Sequence, residues 1–161
     1  MIIKKANFSD LEGILDLQKL AYISEAKLYE DYSIEPLKQT IKDIQKEYEN
    51  GIILKTLNND FNIIGSIRAY KVNHTVFIQK LIVHPDFQNN GIGQRLLEAI
   101  EKYFIAIDSN IEFKLFTGYK SSKNIYLYKK SGYIEFKSEK ISKNLNFIHF
   151  KKINKNNNDF R

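Results

Sequence analysis

The stretch from residue 81 to residue 97 constrains the fold of this chain more than any other. It joins an apolar run with strand character (Leu81–His84), a proline that ends it (Pro85), a polar turn carrying Gly91 and Gly93, and an amphipathic helix. Glycines at a strand-to-helix turn let successive backbone N–H groups point into one concavity, and the helix N-terminus adds a partial positive charge there. Such a turn suits a pyrophosphate, but the two glycines alone are also compatible with a purely structural role.

The spacing of the glycines separates this turn from two other glycine-rich loops. The dinucleotide-binding fingerprint requires a third glycine where Leu96 stands, followed by an acidic residue about 20 positions later. The phosphate loop of nucleotide hydrolases requires a Gly-Lys-Ser/Thr ending. Neither pattern is present, so the sequence excludes both of these nucleotide sites.

The remaining hydrophobic patterns predict an α+β fold with a mixed, mostly antiparallel sheet and helices on its faces. We predict a helix that begins at the capping-box pattern Ser9–Glu12 and a second that runs from Ser33 to Asn50. Two further helices are predicted after Gly91 and around Asn124–Ser131. The predicted strands are Met1–Lys5, Ile52–Leu57, Phe61–Val72, Thr75–His84, Ile111–Thr117, Tyr133–Lys137 and Phe147–Lys152.

Size and composition predict one domain over residues 1–153, followed by a polar, frayed tail at 154–161. There are no cysteines, which excludes disulfides, thiolate metal sites and a cysteine nucleophile. No stretch approaches the roughly 20 apolar residues of a membrane span, and no secretory signal is visible. We therefore expect a cytoplasmic protein without membrane contact. The three histidines have no matching partners in the sequence, and we predict no metal site.

Charge is distributed unevenly along the chain, whose net charge is +6. Residues 114–161 carry 12 Lys or Arg against 3 Asp or Glu, whereas residues 10–49 carry 10 acids and 5 lysines. Such asymmetry can mark a half that binds polyanions. The alternative is that most of these charges only solvate the surface.

Two sequence blocks resemble the GNAT superfamily of N-acetyltransferases. Residues 88–93, Gln-Asn-Asn-Gly-Ile-Gly, match the Q/R-x-x-G-x-G/A motif of that family, and Leu81–Pro85 resembles its L-x-V-x-P lead-in. Residues 123–133 resemble its N-x-x-L-Y-x-K-x-G-Y/F segment. The blocks have the family's order and separation, although the more common family form has an asparagine where this chain has Ser121.

The resemblance implies that acetyl-CoA lies in an opening between two splayed central strands, here those through Leu81–Val83 and Phe113–Thr117. An amine would attack the thioester directly, and backbone N–H groups would stabilise the oxyanion. Tyr128 occupies the position of the general acid that protonates the departing thiolate. The cofactor-binding residues implied are Leu81, Ile82, Val83, Gln88, Asn89, Asn90, Gly91, Ile92, Gly93, Gln94 and Asn124, of which Asn124 would contact the pantetheine arm or cap its helix.

The general base and the acceptor are less defined by the sequence. Many family members carry a basic glutamate where this chain has Gln79 and Lys80, so deprotonation would run through water or through another carboxylate such as Glu25. The acidic balance before residue 50 suggests a small-molecule or peptide amine, which can be cationic: a polyamine, an aminoglycoside or a basic protein N-terminus. Glu25, Glu30 and Asp31 are the residues predicted to steer it, unless these acids only solvate their helices.

Three rival functions are compatible with parts of the sequence. The acyl donor could be another CoA thioester, for example succinyl-CoA or propionyl-CoA. A catalytically idle CoA-binding or CoA-sensing module would keep the two glycines, but the presence of Tyr128 favours an enzyme. A nucleic-acid-binding domain could use tyrosines among the C-terminal lysines, but no helix-turn-helix or zinc spacing supports it. A homodimer is compatible with the sequence.

Overall fold

The computed structural model describes residues 1–154, and it contains six α-helices and seven strands in that range. The helices are α1 (Leu11–Ala21), α2 (Ile23–Tyr29), α3 (Glu35–Lys38), α4 (Ile41–Asn50), α5 (Ile92–Ile107) and α6 (Ser122–Lys130). The strands are β1 (Ile2–Lys5), β2 (Ile52–Leu57), β3 (Ile63–Val72), β4 (Thr75–Val83), β5 (Glu112–Gly118), β6 (Ile134–Lys140) and β7 (Asn146–Ile153). Of the tail predicted at 154–161, only Asn154 is described: its side chain donates to the Ser109 carbonyl at 2.8 Å.

The strands form one sheet in the order β1-β2-β3-β4-β5-β7-β6. Every neighbouring pair is antiparallel except β4 and β5, which are parallel. Side chains that alternate along β2 enter two separate hydrophobic clusters, because successive residues of a strand point to opposite faces. Leu54 packs in the cluster with α5, whereas Ile53 packs in the cluster with α1 and α4. The predicted α+β class, with helices on both faces of a mixed sheet, is confirmed.

The two central strands separate soon after they begin. β4 and β5 pair only over Thr75–Phe77 and Glu112–Lys114, although both strands continue well beyond these residues. The outer half of β4 therefore pairs with β3 alone, and a wedge opens between β4 and β5. The splayed strands implied by the sequence resemblance are thus present.

Two predicted helix boundaries are wrong. The capping box before α1 is formed by Asn7 and Asp10 rather than by Ser9 and Glu12, because a 3₁₀ turn over Phe8–Asp10 precedes the helix. The single helix predicted from Ser33 to Asn50 is interrupted at Gln39, whose backbone is extended. Thr40 then caps α4 by accepting a hydrogen bond from the Asp43 N–H at 3.3 Å.

The interruption at Gln39 has a physical cause in the packing beneath it. Arg68 on β3 is 1% exposed and donates hydrogen bonds to Gln18, Gln39 and Glu47. A buried charge must be paired and hydrogen-bonded, and the extended Gln39 supplies one of the acceptors. The Gln39 side chain in turn donates to Glu47 at 2.8 Å. We call Gln18, Gln39, Glu47 and Arg68 the arginine cluster.

Candidate active site

A cavity of about 710 Å³ lies at the wedge between β4 and β5. Its walls are the end of α1, the first part of α2, the end of β4, the loop into α5, and α6. Ten of the eleven residues predicted to bind the cofactor line it. These ten are Leu81, Ile82, Val83, Gln88, Asn89, Gly91, Ile92, Gly93, Gln94 and Asn124.

The loop between β4 and α5 presents backbone donors to this cavity. Gly91 adopts φ +77°, in the left-handed region that favours glycine, and it forms the N-cap of α5. Within residues 1–154, the backbone N–H groups of residues 91–94 donate to no acceptor. The first N–H groups of a helix have no intrahelical partner, and they combine with the helix dipole into an anion site. The loop therefore fits a pyrophosphate.

Side chains of the loop hold its shape. The Asn90 side chain, which is absent from the cavity lining, donates to the carbonyls of Phe87 (3.1 Å) and Gln88 (3.2 Å). Gln88 donates to the Val83 carbonyl at 3.3 Å, and His84 accepts a hydrogen bond from the Asp86 N–H at 3.1 Å. The Asn90 side chain thus stabilises the loop, and the contact of Asn90 with the cofactor stays a prediction.

The end of β4 offers an open edge on the wedge. Ile82 and Val83 pair with Ser66 and Gly65 of β3, and the register then shifts before Gln79. The shift coincides with Lys80, whose φ of +53° marks a β-bulge. Because β5 has already diverged, the backbone of Leu81–Val83 can pair with an added extended chain, in the way that a peptide adds to a sheet edge.

Helix α6 closes the wedge from the β5 side. Asn124 donates to the Thr117 hydroxyl at 3.2 Å, which ties the helix to β5. Tyr128, one helical turn later, is 5% exposed and packs against the rings of Tyr133 and Phe150. The structure shows no hydrogen bond of its hydroxyl within residues 1–154. Burial raises the pKa of Tyr128, and the charge of Glu25 raises it further, so the phenol is protonated at neutral pH.

Sequence reasoning did not single out Tyr22, which the structure places in the cavity wall. Burial raises the pKa of Tyr22, and nearby Tyr128 and Glu25 add to the effect. Tyr22 and Glu25 therefore line the cavity, and Tyr128, which does not line it, lies close enough to both for their charges to affect one another. In the sequence, Tyr22 occupies an apolar position at helical spacing, and no other signal distinguishes it from a core residue.

The structure separates the three carboxylates predicted to steer the acceptor. Glu25 lines the cavity, whereas Glu30 and Asp31 do not. Glu30 ends α2 in a left-handed conformation, and Asp31 accepts hydrogen bonds from Ser33, which lower the pKa of its carboxyl. Of the three, Glu25 alone lines the cavity, and a steering role for Glu30 and Asp31 stays a prediction.

Three lysines of the basic C-terminal half also line the cavity. Lys120, Lys123 and Lys130 lie in or just before α6. They give the charge asymmetry of the sequence a local consequence, because they place positive charge where a phosphate-bearing ligand would enter.

Two negative findings concern the described part of the chain. Among residues 1–154, no group of three or more His, Asp and Glu side chains is arranged to hold a metal ion. None of the helices in this range is both long enough and apolar enough to span a membrane.

The family assignment follows from comparison with known sequences. The sequence model of the acetyltransferase (GNAT) family matches residues 12–133, which include the wedge, the glycine loop and α6. The chain belongs to the GNAT acetyltransferase family. One curated relative, the UPF0157 protein YqkA of Bacillus subtilis strain 168, is 29% identical over 135 residues, or 82% of this chain. The aligned region spans only 37% of the length of YqkA.

Solved GNAT structures share the fold across nearly the whole chain. An acetyltransferase of the GNAT family from Staphylococcus aureus Mu50 superposes with a TM-score of 0.77 at 19% identity, covering 96% of this chain and 99% of its own. The PaiA N-acetyltransferase of Thermoplasma acidophilum, solved in complex with coenzyme A, has a TM-score of 0.74 at 19% identity. That comparison covers 92% of this chain and 96% of the PaiA chain. These identities establish the fold, and they leave the substrate to be argued from the site.

Proposed function

We propose that this GNAT protein transfers an acetyl group from acetyl-CoA to a primary amine by direct attack, with Tyr128 as the general acid. One observation carries the proposal: within the described residues, the backbone N–H groups of residues 91–94 have no acceptor, and they open onto a cavity that continues along the edge of β4 at Leu81–Val83, where β5 has diverged. An elongated ligand with a pyrophosphate at one end and an amide-bearing arm at the other matches both features.

Different residues would bind the pyrophosphate and the pantetheine arm of acetyl-CoA. Residues 91–94 would hold the pyrophosphate through backbone N–H groups, and Lys120, Lys123 and Lys130 would attract its charge. The backbone of Leu81–Val83 would pair with the pantetheine arm, and Asn124 keeps α6 against β5 on the opposite side. When bound, acetyl-CoA supplies a thioester that is reactive toward an amine.

Tyr128 is the proposed proton donor because it stays protonated and stands on α6 beside the wedge, close enough for the charge of Glu25 in the cavity wall to act on it, although Tyr128 itself does not line the cavity. Its raised pKa keeps the proton on the phenol until negative charge develops beside it. Each unit of pKa difference between donor and acceptor costs about 1.4 kcal/mol in the transfer. The departing sulfur experiences the same loss of hydration, which raises the basicity of a thiolate and reduces that difference. Tyr22 is the competing donor, since it lines the cavity directly.

The acceptor class is proposed from the inner end of the cavity. Glu25 is the only one of the three predicted acids that lines it, and a carboxylate there favours an amine that arrives as an ammonium ion. A polyamine, an aminoglycoside and a peptide with a basic N-terminus each present such a group.

A panel assay tests the proposal. Purified protein would be incubated with acetyl-CoA and with spermidine, kanamycin or a basic peptide with a free N-terminus, and free thiol would be measured together with the mass of the acetylated amine. We expect stoichiometric thiol and acetyl-amine for at least one acceptor, and smaller rates with propionyl-CoA and succinyl-CoA. Tight binding of CoA without turnover of any amine would instead favour the idle CoA-binding module.

A further inference from the structure

A chain of hydrogen bonds connects α2 with the loop before α6 and ends on Glu25. The backbone N–H of Lys120 donates to the Tyr29 hydroxyl at 2.8 Å. The hydroxyls of Tyr29 and Ser121 are 2.9 Å apart, and Ser121 donates to Glu25 Oε2 at 2.5 Å. We call Tyr29, Ser121 and Glu25 the α2 relay.

The direction of donation in the α2 relay is fixed by its two ends. A backbone N–H can only donate, and an ionised carboxylate can only accept. The Ser121 proton therefore points at Glu25, and the Tyr29 proton must point at Ser121. Tyr29 is 2% exposed and Ser121 is 4% exposed, so water does not compete with these bonds. Hydrogen bonds to a charged acceptor in such surroundings are shorter and stronger than neutral ones.

The fold makes room for the α2 relay at one specific glycine. A Cβ atom on Gly118, at the end of β5, would lie 2.0 Å from the Tyr29 hydroxyl and 2.5 Å from its ring. Any other residue would displace Tyr29 from its position over β5. The end of β5 is thus shaped so that a side chain from α2 can cross it.

The second oxygen of Glu25 is left for a ligand. Ser121 binds Oε2, and Oε1 has no hydrogen-bond partner in the described part of the chain. Glu25 lines the cavity beside Tyr22, and its charge acts on Tyr22, Tyr29 and Tyr128. The other charged groups facing this cavity are Lys120, Lys123 and Lys130.

We infer that Glu25 is the proton acceptor for the attacking amine, and that Ser121 and Tyr29 are positioning residues which hold its carboxylate toward the cavity. This inference rests on the proposed acetyl transfer and adds the base that the sequence did not define. Gln79 and Lys80 cannot serve, because an amide is not basic and Lys80 donates to Glu35 at 2.6 Å.

Glu25 and Tyr128 together account for every proton transferred in the reaction. Glu25 takes one proton from the ammonium ion, which frees the nitrogen lone pair to form the N–C bond with the acetyl carbon. The C–S bond then breaks with its electron pair on sulfur, and sulfur receives the Tyr128 proton. The second proton lost by nitrogen restores the Tyr128 phenol, and Glu25 releases its proton to solvent. Two protons leave nitrogen, one reaching sulfur and one reaching water.

The test compares the pH dependence of kcat/KM for the wild type and Glu25→Gln, using the fastest acceptor of the amine panel. Without the base, only amine that is already neutral in solution can react, so the variant should gain about tenfold per pH unit below the amine pKa. We expect a deficit of about 10²–10⁴ at neutral pH that shrinks as the pH rises. CoA affinity, measured by calorimetry, should stay at the wild-type value.

Ser121→Ala and Tyr29→Phe should show the same pH-dependent deficit at a smaller size, because Glu25 remains but is less well oriented. Glu135→Gln and Tyr32→Phe are the matched controls, since both residues are exposed and neither lines the cavity, and both should behave as wild type. A Glu25→Gln deficit that is equal at every pH would overturn the inference. A wild-type protein that binds CoA but acetylates no amine would overturn the proposed function itself.

Discussion

The two ends of the cavity bind through different parts of the polypeptide. At the glycine loop, the groups that face the cavity are backbone N–H donors at residues 91–94, and the side chains of Gln88 and Asn90 turn inward to hold the loop. At the helical end, formed by α1 to α4, the groups are side chains: Tyr22 and Glu25 line the cavity, and Arg68 of the arginine cluster is buried and its charge acts on Tyr22.

This difference explains why the two ends were not equally visible in the sequence. A backbone site depends on chain conformation, and the left-handed φ at Gly91 restricts which residue can stand there. A side-chain site depends on residues that come together only in the folded state, such as Glu25 and Ser121, which are 96 positions apart. The proposed cofactor end is therefore defined by a local motif, and the proposed acceptor end is defined by tertiary contacts.

The largest effect is expected at Tyr128, the proposed proton donor. Tyr128→Phe removes one hydroxyl and keeps the ring, so the packing against Tyr133 and Phe150 and the CoA affinity should survive. Loss of the proton donor should lower the single-turnover rate about 10²–10⁴-fold. A rate within about twofold of wild type, or a larger loss in Tyr22→Phe, would remove Tyr128 from this role.

Gly91→Val should weaken ligand binding at the glycine loop and leave the helical end intact. A Cβ at residue 91 would meet no protein atom within 4 Å, so the fold cost is limited to the strained φ, about 1–2 kcal/mol. The side chain would fill the space beside the pyrophosphate donors. Hydrogen bonds to charged groups contribute about 1.5–3 kcal/mol each, so losing two should weaken CoA binding about 10²-fold or more by calorimetry.

Gly132→Val is the matched control for Gly91→Val. Gly132 also has a left-handed φ, +93°, but it does not line the cavity. The two variants should lose similar stability, and only Gly91→Val should lose CoA affinity. Equal losses of affinity would mean that backbone strain, rather than the loop amides, controls binding.

Arg68→Met should lower the stability of the helical end and leave CoA affinity unchanged, which is the reverse of the result expected for Gly91→Val. It leaves acceptors on Gln18 and Glu47 without their donor, and breaking a buried ion pair typically costs about 3–5 kcal/mol. Urea unfolding should show this loss, whereas CoA affinity at 25 °C should remain close to wild type. Lys137→Met, which removes an exposed pair with Glu139, should cost less than about 1 kcal/mol. A similar cost for both variants would contradict a structural role for the arginine cluster.

The smallest effect is expected away from both ends, at Asp108. Hydrogen bonds from His74, from the Asn110 backbone and from Lys71 lower the pKa of Asp108 to about 2. Because the folded pKa lies below the unfolded value of 3.8, the stabilisation is present above that value and is lost as the pH falls toward 2. The difference in unfolding free energy between wild type and Asp108→Asn should therefore shrink between about pH 5 and pH 2. A difference that does not vary with pH would contradict the ionic origin of the effect.

The sequence predicted the strands and the glycine loop because each is encoded locally, whereas the wedge was predicted only from the family resemblance. Alternating apolar residues define the strands, and Gly91 and Gly93 define the loop. The break between α3 and α4 was not predicted, because the extended Gln39 accepts a hydrogen bond from Arg68 on β3, which is distant in sequence. The sequence also missed Tyr22, Tyr29 and Ser121, whose roles arise only when α2 crosses the end of β5.

Amide hydrogen exchange with and without CoA tests the central claim most directly, since it observes the loop donors themselves. The N–H groups of residues 91–94 have no acceptor in the described chain, so CoA should slow their exchange strongly. The N–H groups of Asp60 and Asn62 already donate to Asn58 and should not change. Unchanged exchange at residues 91–94 under saturating CoA would contradict the claim that this loop holds the pyrophosphate.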